Sequence, residues 1–155
     1  MKINNKGFTL IEVLAVVVIL SILIAIMVPS VNYLIEKNKE NNYNNLKDSI
    51  LNATKVYLSD NRYEISLDYG DKLCDTDEES IASIAGNTIT NNKLPIRLLV
   101  NSKDLSIDSD NNIINPKNEE QVLDLDNSYV LIKYQCSNKD YKYILEDNSL
   151  IWKEK

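Results

Sequence analysis

The sequence contains no histidine and only two cysteines, Cys74 and Cys136. Histidine is the commonest general base and the commonest metal ligand, so its absence excludes Ser-His and Cys-His nucleophiles and zinc sites that use histidine. Two cysteines are too few for a zinc site built from cysteine alone. They suffice for one disulfide if this part of the chain leaves the cytoplasm, and two buried free thiols are the alternative. The composition therefore counts against an enzyme, and it predicts no catalytic residue, no metal and no cofactor.

Positive charge is also scarce, because 17 lysines and arginines face 23 acidic residues and leave a formal net charge of -6. Nothing in this balance draws the chain to phosphate backbones, so general nucleic-acid binding is not expected. The apolar residues are concentrated near the N-terminus, whereas the remainder is polar and rich in asparagine. At 155 residues, the chain can form one domain with a modest core and an appended segment.

The appended segment is the apolar run at residues 8–28, FTLIEVLAVVVILSILIAIMV. A helix of this length spans roughly the 30 Å hydrocarbon core of a bilayer. Residues 1–7 carry two lysines and no acid, so the positive-inside rule keeps the N-terminus in the cytoplasm and sends the polar portion outward. A secretory signal peptide would have a shorter apolar core and a small-residue cleavage site after it, and the segment AIMVPSVNY at the exit has none. A plain signal anchor remains the alternative.

Glu12 is the residue that a plain anchor does not explain. A carboxylate at the centre of a spanning helix costs about 2.5 to 3.5 kcal/mol on insertion scales. Glu12 lies near the cytoplasmic end of the run, where its side chain can reach the interface at lower cost. Ionisable residues inside membranes are rare and usually functional, so Glu12 requires a partner or a purpose.

Residues 6–12, read as KGFTLIE, resemble the processing site of type IV prepilins. The resemblance implies that a prepilin peptidase removes residues 1–7 by cutting between Gly7 and Phe8 and then methylates the new amine of Phe8. It also implies that Glu12 directs assembly by pairing with the amine of a neighbouring subunit, because one buried charge left without its partner is strongly unfavourable. The implied partners are other pilin subunits, the peptidase, the pilus assembly machinery and, before assembly, the cytoplasmic membrane.

The same resemblance implies an α+β fold, in which a long N-terminal helix packs its second half on a small antiparallel sheet. Residues 8–28 would form the transmembrane and filament-core part, Pro29 would kink or loosen the helix, and residues 29–155 would form an extracytoplasmic domain. The implied function is a major or minor pilin, held in the membrane as a prepilin and then exported into an extracellular pilus for adhesion or motility. Two alternatives stay open: a pseudopilin of a type II secretion or DNA-uptake system, and a membrane-anchored binding domain.

The rest of the chain yields a coarse plan. The helix is expected to continue to about residue 59, with one apolar stripe formed by Ile35, Tyr43, Leu46, Ile50, Ala53 and Tyr57. Residues 61–92 show no clear period, so an irregular connection with a helical turn at 79–85 is expected. A short helix should follow Pro95. The C-terminal runs 128–136, 141–146 and 150–153 predict an antiparallel meander.

Two further patterns concern Cys74 with Cys136 and the acidic stretch from Asp108 to Glu119. A disulfide between the cysteines would close a long loop, and its restraint is worth about 4 kcal/mol in the chain-entropy model. Asp108, Asp110 and Asn112 alternate as in a calcium-binding loop, but isoleucine stands where such a loop needs glycine. A solvated turn is therefore the favoured interpretation.

Overall fold

A computed structural model describes residues 9–68, 78–105, 107–110 and 112–155, apart from the side chains at positions 29, 68, 78 and 79. The chain divides into two compact units between Glu40 and Asn41. The predicted boundary after residue 28 describes the membrane exit, which is a different property, and it stays a prediction. We call residues 41–155 the C-terminal unit.

A single helix, α1, runs from Leu10 to Asp60 over 51 residues. Its backbone stays helical across Pro29 and across the asparagine-rich segment 38–45, where intrinsic propensity is poor. The end of α1 is defined by Asn61, whose backbone N–H and side-chain amide both donate to the carbonyl oxygen of Tyr57, at 3.1 and 2.8 Å. The prediction of one long helix is therefore confirmed.

The second half of α1 buries an apolar stripe in the C-terminal unit. Tyr43, Ile50, Ala53 and Tyr57 are buried and Leu46 is partly buried, as predicted. Ile35 is 47% exposed, so its assignment to the stripe was wrong. It belongs to the N-terminal unit, whose described residues are all exposed.

Two buried positions of α1 escaped the pattern, Thr54 and Leu58. Thr54 is fully buried because its hydroxyl donates to the carbonyl oxygen of Ile50 at 2.8 Å, which satisfies the polar group inside the core. A threonine is scored as polar in a hydrophobic pattern, so the stripe looks narrower in the sequence than it is in the fold.

After α1 the chain forms nine strands, one further α-helix and two 3-10 turns within the described residues. The strands are β1 (Ile65–Asp68), β2 (Glu78–Ile84), β3 (Asn87–Thr88), β4 (Lys93–Pro95), β5 (Ile114–Asn115), β6 (Asn118–Leu123), β7 (Tyr129–Gln135), β8 (Asp140–Ile144) and β9 (Trp152–Glu154). The helix α2 spans Ile96–Asn101, directly after Pro95 as predicted, and the 3-10 turns span Arg62–Glu64 and Asp147–Ser149. The α+β class is confirmed.

The first sheet has six strands and is antiparallel throughout. Its main path runs β1-β2-β7-β4, with β3 paired to β2 and β8 paired to β7. The β7–β8 hairpin was predicted, and so was its alternation: Tyr141, Tyr143 and Leu145 are half-buried or buried, whereas Lys142, Ile144 and Glu146 are exposed.

The expected helical turn at 79–85 was wrong, because this segment is strand β2. Leu67 pairs with Ile81 and Ser66 pairs with Ser83, so Ala82 is an extra residue that makes a β-bulge. The bulge shifts the alternation by one residue and allows Ile81 and Ile84 to be buried together. Their spacing of three is also found on one face of a helix. Strands β1 to β3 replace part of the irregular connection expected at 61–92.

The second sheet has three strands in the order β5-β6-β9. The predicted meander was therefore wrong in its last strand, since β9 pairs with β6 and not with β8. The 3-10 turn Asp147–Ser149 redirects the chain after β8, and Leu150 is buried beyond it. Two residues bond to Ile151, directly before β9. The Asp124 N–H donates to the Ile151 carbonyl oxygen at 2.8 Å, and the Ser128 hydroxyl bonds to the Ile151 backbone.

Polar and aromatic contacts attach α1 to the C-terminal segment, residues 147–155, and to the β5–β6 hairpin. The Lys47 ammonium lies 2.7 Å from the Asp147 carboxylate, and this bond holds the pKa of that carboxyl below its ordinary value. The rings of Tyr43 and Trp152 pack with centroids 6.3 Å apart. The Lys117 ammonium lies 4.2 Å from the Tyr43 ring centroid, in a cation–π contact.

Candidate processing and assembly site

The first turn of α1 is closed by a reciprocal pair of side chains, Thr9 and Glu12. The Thr9 backbone N–H and the Thr9 hydroxyl both donate to Glu12 Oε2, each at 2.8 Å. In return, the Glu12 backbone N–H donates to the Thr9 hydroxyl oxygen at 3.3 Å and to the Thr9 carbonyl oxygen at 3.1 Å. This is a capping box, in which threonine caps the helix and a glutamate three residues later caps the threonine.

The sequence signal for this arrangement is TLIE at residues 9–12, which matches the capping-box pattern. The capping-box pattern lies inside the apolar run at residues 8–28, whose length and composition predict membrane insertion, so the capping role of Glu12 is not evident from hydropathy. The pair explains where α1 begins and places a carboxylate at the positive end of the helix dipole, which is favourable. Glu12 therefore has a local structural role in addition to any role between subunits.

Only one oxygen of the Glu12 carboxylate accepts hydrogen bonds within the described residues. Oε2 takes both bonds from Thr9, while Oε1 has no hydrogen-bond partner among residues 9–68 or the rest of the described chain. A carboxylate offers about four lone-pair sites. It therefore keeps acceptor capacity for a cationic donor beyond the described residues.

The helix beyond Glu12 is apolar on every face. The large apolar side chains from Leu10 to Val28 are exposed, from 44% at Leu23 to 88% at Leu10. No charged residue occurs between Glu12 and Glu36. An 18-residue window of α1 has a mean hydropathy of 3.1, which makes α1 long and apolar enough to cross a membrane. A helix that is apolar all round is stable only in lipid or in the core of an assembly.

Hydroxyls within this helix are satisfied locally. The Ser21 hydroxyl donates to the Val17 carbonyl oxygen at 2.7 Å, and the Ser30 hydroxyl donates to the Ile26 carbonyl oxygen at 3.4 Å. Bonds of this type allow serine to lie in lipid without an unsatisfied group. Ser30 directly follows Pro29, whose ring nitrogen cannot donate. The predicted kink at Pro29 stays a prediction.

The remaining predicted residues are only partly within the structure. Gly7, Phe8 and Cys74 lie outside the described residues, so the cleavage site, the methylation site and the disulfide stay predictions. Cys136 directly follows strand β7.

The acidic stretch after α2 forms a turn. Asp108 Oδ1 accepts the backbone N–H groups of Asp110 and Asn112 at 3.0 and 2.7 Å. This is an Asx turn, so the turn interpretation is confirmed. Beyond it, Asn115 Oδ1 accepts the Lys117 N–H at 3.0 Å in the β5–β6 hairpin, which the sequence pattern had not revealed. Within the described ranges, no three acidic, cysteine or histidine side chains come together as a metal site.

Comparison with known proteins gives one match. Residues 2–28 match the model of the prokaryotic N-terminal methylation motif. No curated protein and no solved structure matches the chain significantly. The motif is the type IV prepilin signature, and the long helix followed by small antiparallel sheets is a pilin-like architecture. The match is confined to residues 2–28; this motif indicates a type IV pilin-like substrate of prepilin peptidase and implies assembly with other pilin subunits.

Proposed function

We propose that this protein is a structural subunit of a type IV pilus, major or minor, which polymerises through α1. The observation that carries the proposal is the carboxylate of Glu12, of which only Oε2 accepts hydrogen bonds within the described residues. This carboxylate lies at the start of a helix segment that is apolar on every face. The signature at residues 2–28 supports membrane anchoring before assembly. The mature filament would then lie outside the cell, with the C-terminal unit facing solvent.

Cleavage between Gly7 and Phe8 would create a cationic partner for Glu12, whose only hydrogen-bond donor within the described residues is Thr9. Hydrolysis of this peptide bond frees the amine of Phe8, and methylation leaves that amine able to carry its positive charge. Two opposite charges removed from water favour the one register in which they meet, because loss of one partner from a buried pair costs about 3 to 5 kcal/mol. The assembled helices would therefore select a single stagger between neighbours.

In this proposal the three parts of the chain have separate tasks. The leader, residues 1–7, keeps the helix in its prepilin state, and residues 8–28 form the membrane anchor and later the filament core. Residues 29–155 form the exported domain, in which a disulfide between Cys74 and Cys136 would link the segment before β2 to the end of β7. A kink at Pro29 would adjust the direction of the helix where it leaves the bilayer.

Three variants separate the charge of Glu12 from its capping role. Glu12→Gln removes the charge but keeps an amide that can complete a capping box. Thr9→Val removes the cap but keeps the carboxylate. Glu12→Val removes the charge and the hydrogen bonds to Thr9, and it lowers the free-energy cost of inserting the segment into the membrane.

If Glu12 pairs with a neighbouring amine, cells with Glu12→Gln or Glu12→Val should contain normal or raised amounts of inserted subunit but few or no sheared filaments. Thr9→Val should keep most of the filament yield. Membrane-inserted and sheared protein are measured by immunoblotting of the same cells. Normal filaments from Glu12→Gln combined with their loss in Thr9→Val would assign Glu12 to helix capping and reject the pairing mechanism.

A further inference from the structure

A cleft in the C-terminal unit brings together cations that the described chain leaves without counterions. It has a volume of about 250 Å³ and lies between the last turns of α1, the 3-10 turn after it and the β7–β8 hairpin. Its lining consists of Lys55, Leu58, Ser59, Arg62, Lys139, Asp140, Tyr141 and Tyr143. These residues come from segments far apart in sequence, so the fold assembles the cleft.

The charge of this cleft is opposite to that of the protein. Lys55, Arg62 and Lys139 face it together with one carboxylate, Asp140, although the whole chain has a net charge of -6. Asp140 Oδ1 accepts the backbone N–H of Tyr141 at 2.8 Å. Within the described residues none of the three cations forms an ion pair. Among the described residues, the cleft therefore has three cationic side chains against one carboxylate, an excess of positive charge suited to an external anion.

The position of Lys139 is fixed by its own turn. Asn138 donates from its side-chain amide to Gln135 Oε1 at 3.2 Å and accepts the Asp140 N–H at 3.2 Å. Lys139 itself has a left-handed backbone with φ of 55°. Asparagine tolerates this conformation better than most residues, which is useful for designing a variant.

The rest of the cleft is aromatic and apolar. Tyr141 and Tyr143 lie on the same face of β8 and are half-buried, and Leu58 is buried beside them. The ring of Tyr141 packs against Tyr134 with centroids 5.5 Å apart, which restricts its orientation. Tyrosine offers an apolar ring and a polar tip, a combination suited to ligands that carry both C–H faces and hydroxyl groups.

We propose that this cleft binds an acidic saccharide, with one carboxylate-bearing sugar seated among Lys55, Arg62 and Lys139 and its ring against the tyrosines. A charge-assisted bond from arginine to carboxylate supplies orientation. Sugar hydroxyls can donate to carbonyl oxygens that the last turn of a helix leaves without intrahelical partners. A long nucleic acid is disfavoured, because it carries one charge per roughly 1.7 Å and the acidic surface around a single cationic cleft repels it.

The proposal is tested with the full chain in detergent micelles, titrated with trigalacturonate and with uncharged galactotriose by calorimetry. Trigalacturonate should bind, binding should weaken with salt, and galactotriose should bind at least about tenfold more weakly. Arg62→Gln and Lys139→Asn should each lower the affinity by about tenfold or more. Lys103→Asn is the matched control, because Lys103 is exposed, has a φ of 66° and does not line the cleft.

Equal affinity for the charged and uncharged trisaccharides would overturn the proposal, and so would equal losses in Lys139→Asn and Lys103→Asn. A 12-nucleotide single-stranded DNA is titrated in parallel. Tighter binding of the DNA, lost in Arg62→Gln, would assign the cleft to nucleic acid and reject the saccharide. These outcomes do not depend on filament formation, so the cleft and the pilus proposal can fail separately.

Discussion

Replacing Ser128 with alanine should destabilise the C-terminal unit, whereas the same change at Ser149 should not. Both side chains are fully buried, at 0% exposure. The Ser128 hydroxyl accepts the Ile151 N–H at 2.9 Å and donates to the Ile151 carbonyl oxygen at 3.3 Å. The Ser149 hydroxyl is buried with no hydrogen-bond partner among the described residues. Both substitutions therefore remove a buried hydroxyl oxygen, which is hydrogen-bonded at Ser128 and has no partner among the described residues at Ser149.

The magnitude follows from what each substitution leaves behind. In Ser128→Ala the Ile151 carbonyl oxygen keeps its bond from Asp124 N–H at 2.8 Å, so only the Ile151 N–H loses its partner. Leaving a buried donor unsatisfied costs about 1 to 3 kcal/mol. Ile151 is 40% exposed, so water can reach part of this residue, and the expected loss is about 1 to 2 kcal/mol. Ser149→Ala removes an unsatisfied group, so the free energy of unfolding should stay constant or rise by up to about 1 kcal/mol.

Urea unfolding of the full chain in detergent measures both values. Trp152 is the only tryptophan and lies in β9, next to the Ser128 contact, so its fluorescence reports the region concerned. The urea midpoint should fall for Ser128→Ala with an unchanged slope, and it should hold or rise for Ser149→Ala. Equal losses in both variants would show that packing, and not the hydroxyl bonds to Ile151, holds the C-terminal segment.

Three further predictions concern acid stability, the disulfide and the domain division. Arg97 donates to both carboxylate oxygens of Asp126 and lowers the pKa of that carboxyl. The ionised Asp126 therefore contributes fully to the free energy of unfolding above the unfolded-state pKa of about 4. This contribution is lost as the pH falls below that value and the carboxyl becomes protonated. The urea midpoint of Asp126→Asn should depend less on pH between 5 and 3 than that of the unaltered chain. Thiol alkylation with mass spectrometry should find Cys74 and Cys136 linked, and reduction should lower the unfolding free energy by up to about 4 kcal/mol; two free thiols would reject the bond. Removing residues 1–28 should leave a soluble domain whose circular dichroism retains its sheet, and an unfolded spectrum would contradict the division.

The parts of the fold that could be predicted are those with a local signal. The long apolar run and the spacing from Tyr43 to Tyr57 define α1, and proline before an apolar run defines α2. Within the asparagine-rich segment 38–45 only Tyr43 is buried, and this contact favours the helix where intrinsic propensity is weak. Local periodicity was enough for these elements.

The missed features depend on contacts between distant segments. The bulge at Ala82 is visible only in the pairing of β1 with β2, and without it the spacing of Ile81 and Ile84 resembles a helix. The pairing of β9 with β6 is accompanied by hydrogen bonds between Ser128 and Ile151, which are far apart in sequence. Hydrophobic alternation identifies a strand but not its partner, so the meander was a reasonable but wrong choice.

The candidate sites also combine features that the sequence predicts with features that only the fold reveals. The assembly role of Glu12 was inferred from its cost inside an apolar run and from resemblance, and it remains a proposal. Its bond to Thr9 was present in the sequence as a capping-box pattern and was overlooked. The cationic cleft had no signal at all, because Lys55, Arg62 and Lys139 are unremarkable until the fold places them together.

The central claim is that the chain is cut before its apolar helix and then built into a filament. The most direct measurement is mass spectrometry of the N-terminal peptide of the subunit in filaments sheared from cells. The account predicts a peptide that begins at Phe8 and carries one methyl group on its amine. A filament subunit that retains residues 1–7, or a chain that begins elsewhere, would contradict it.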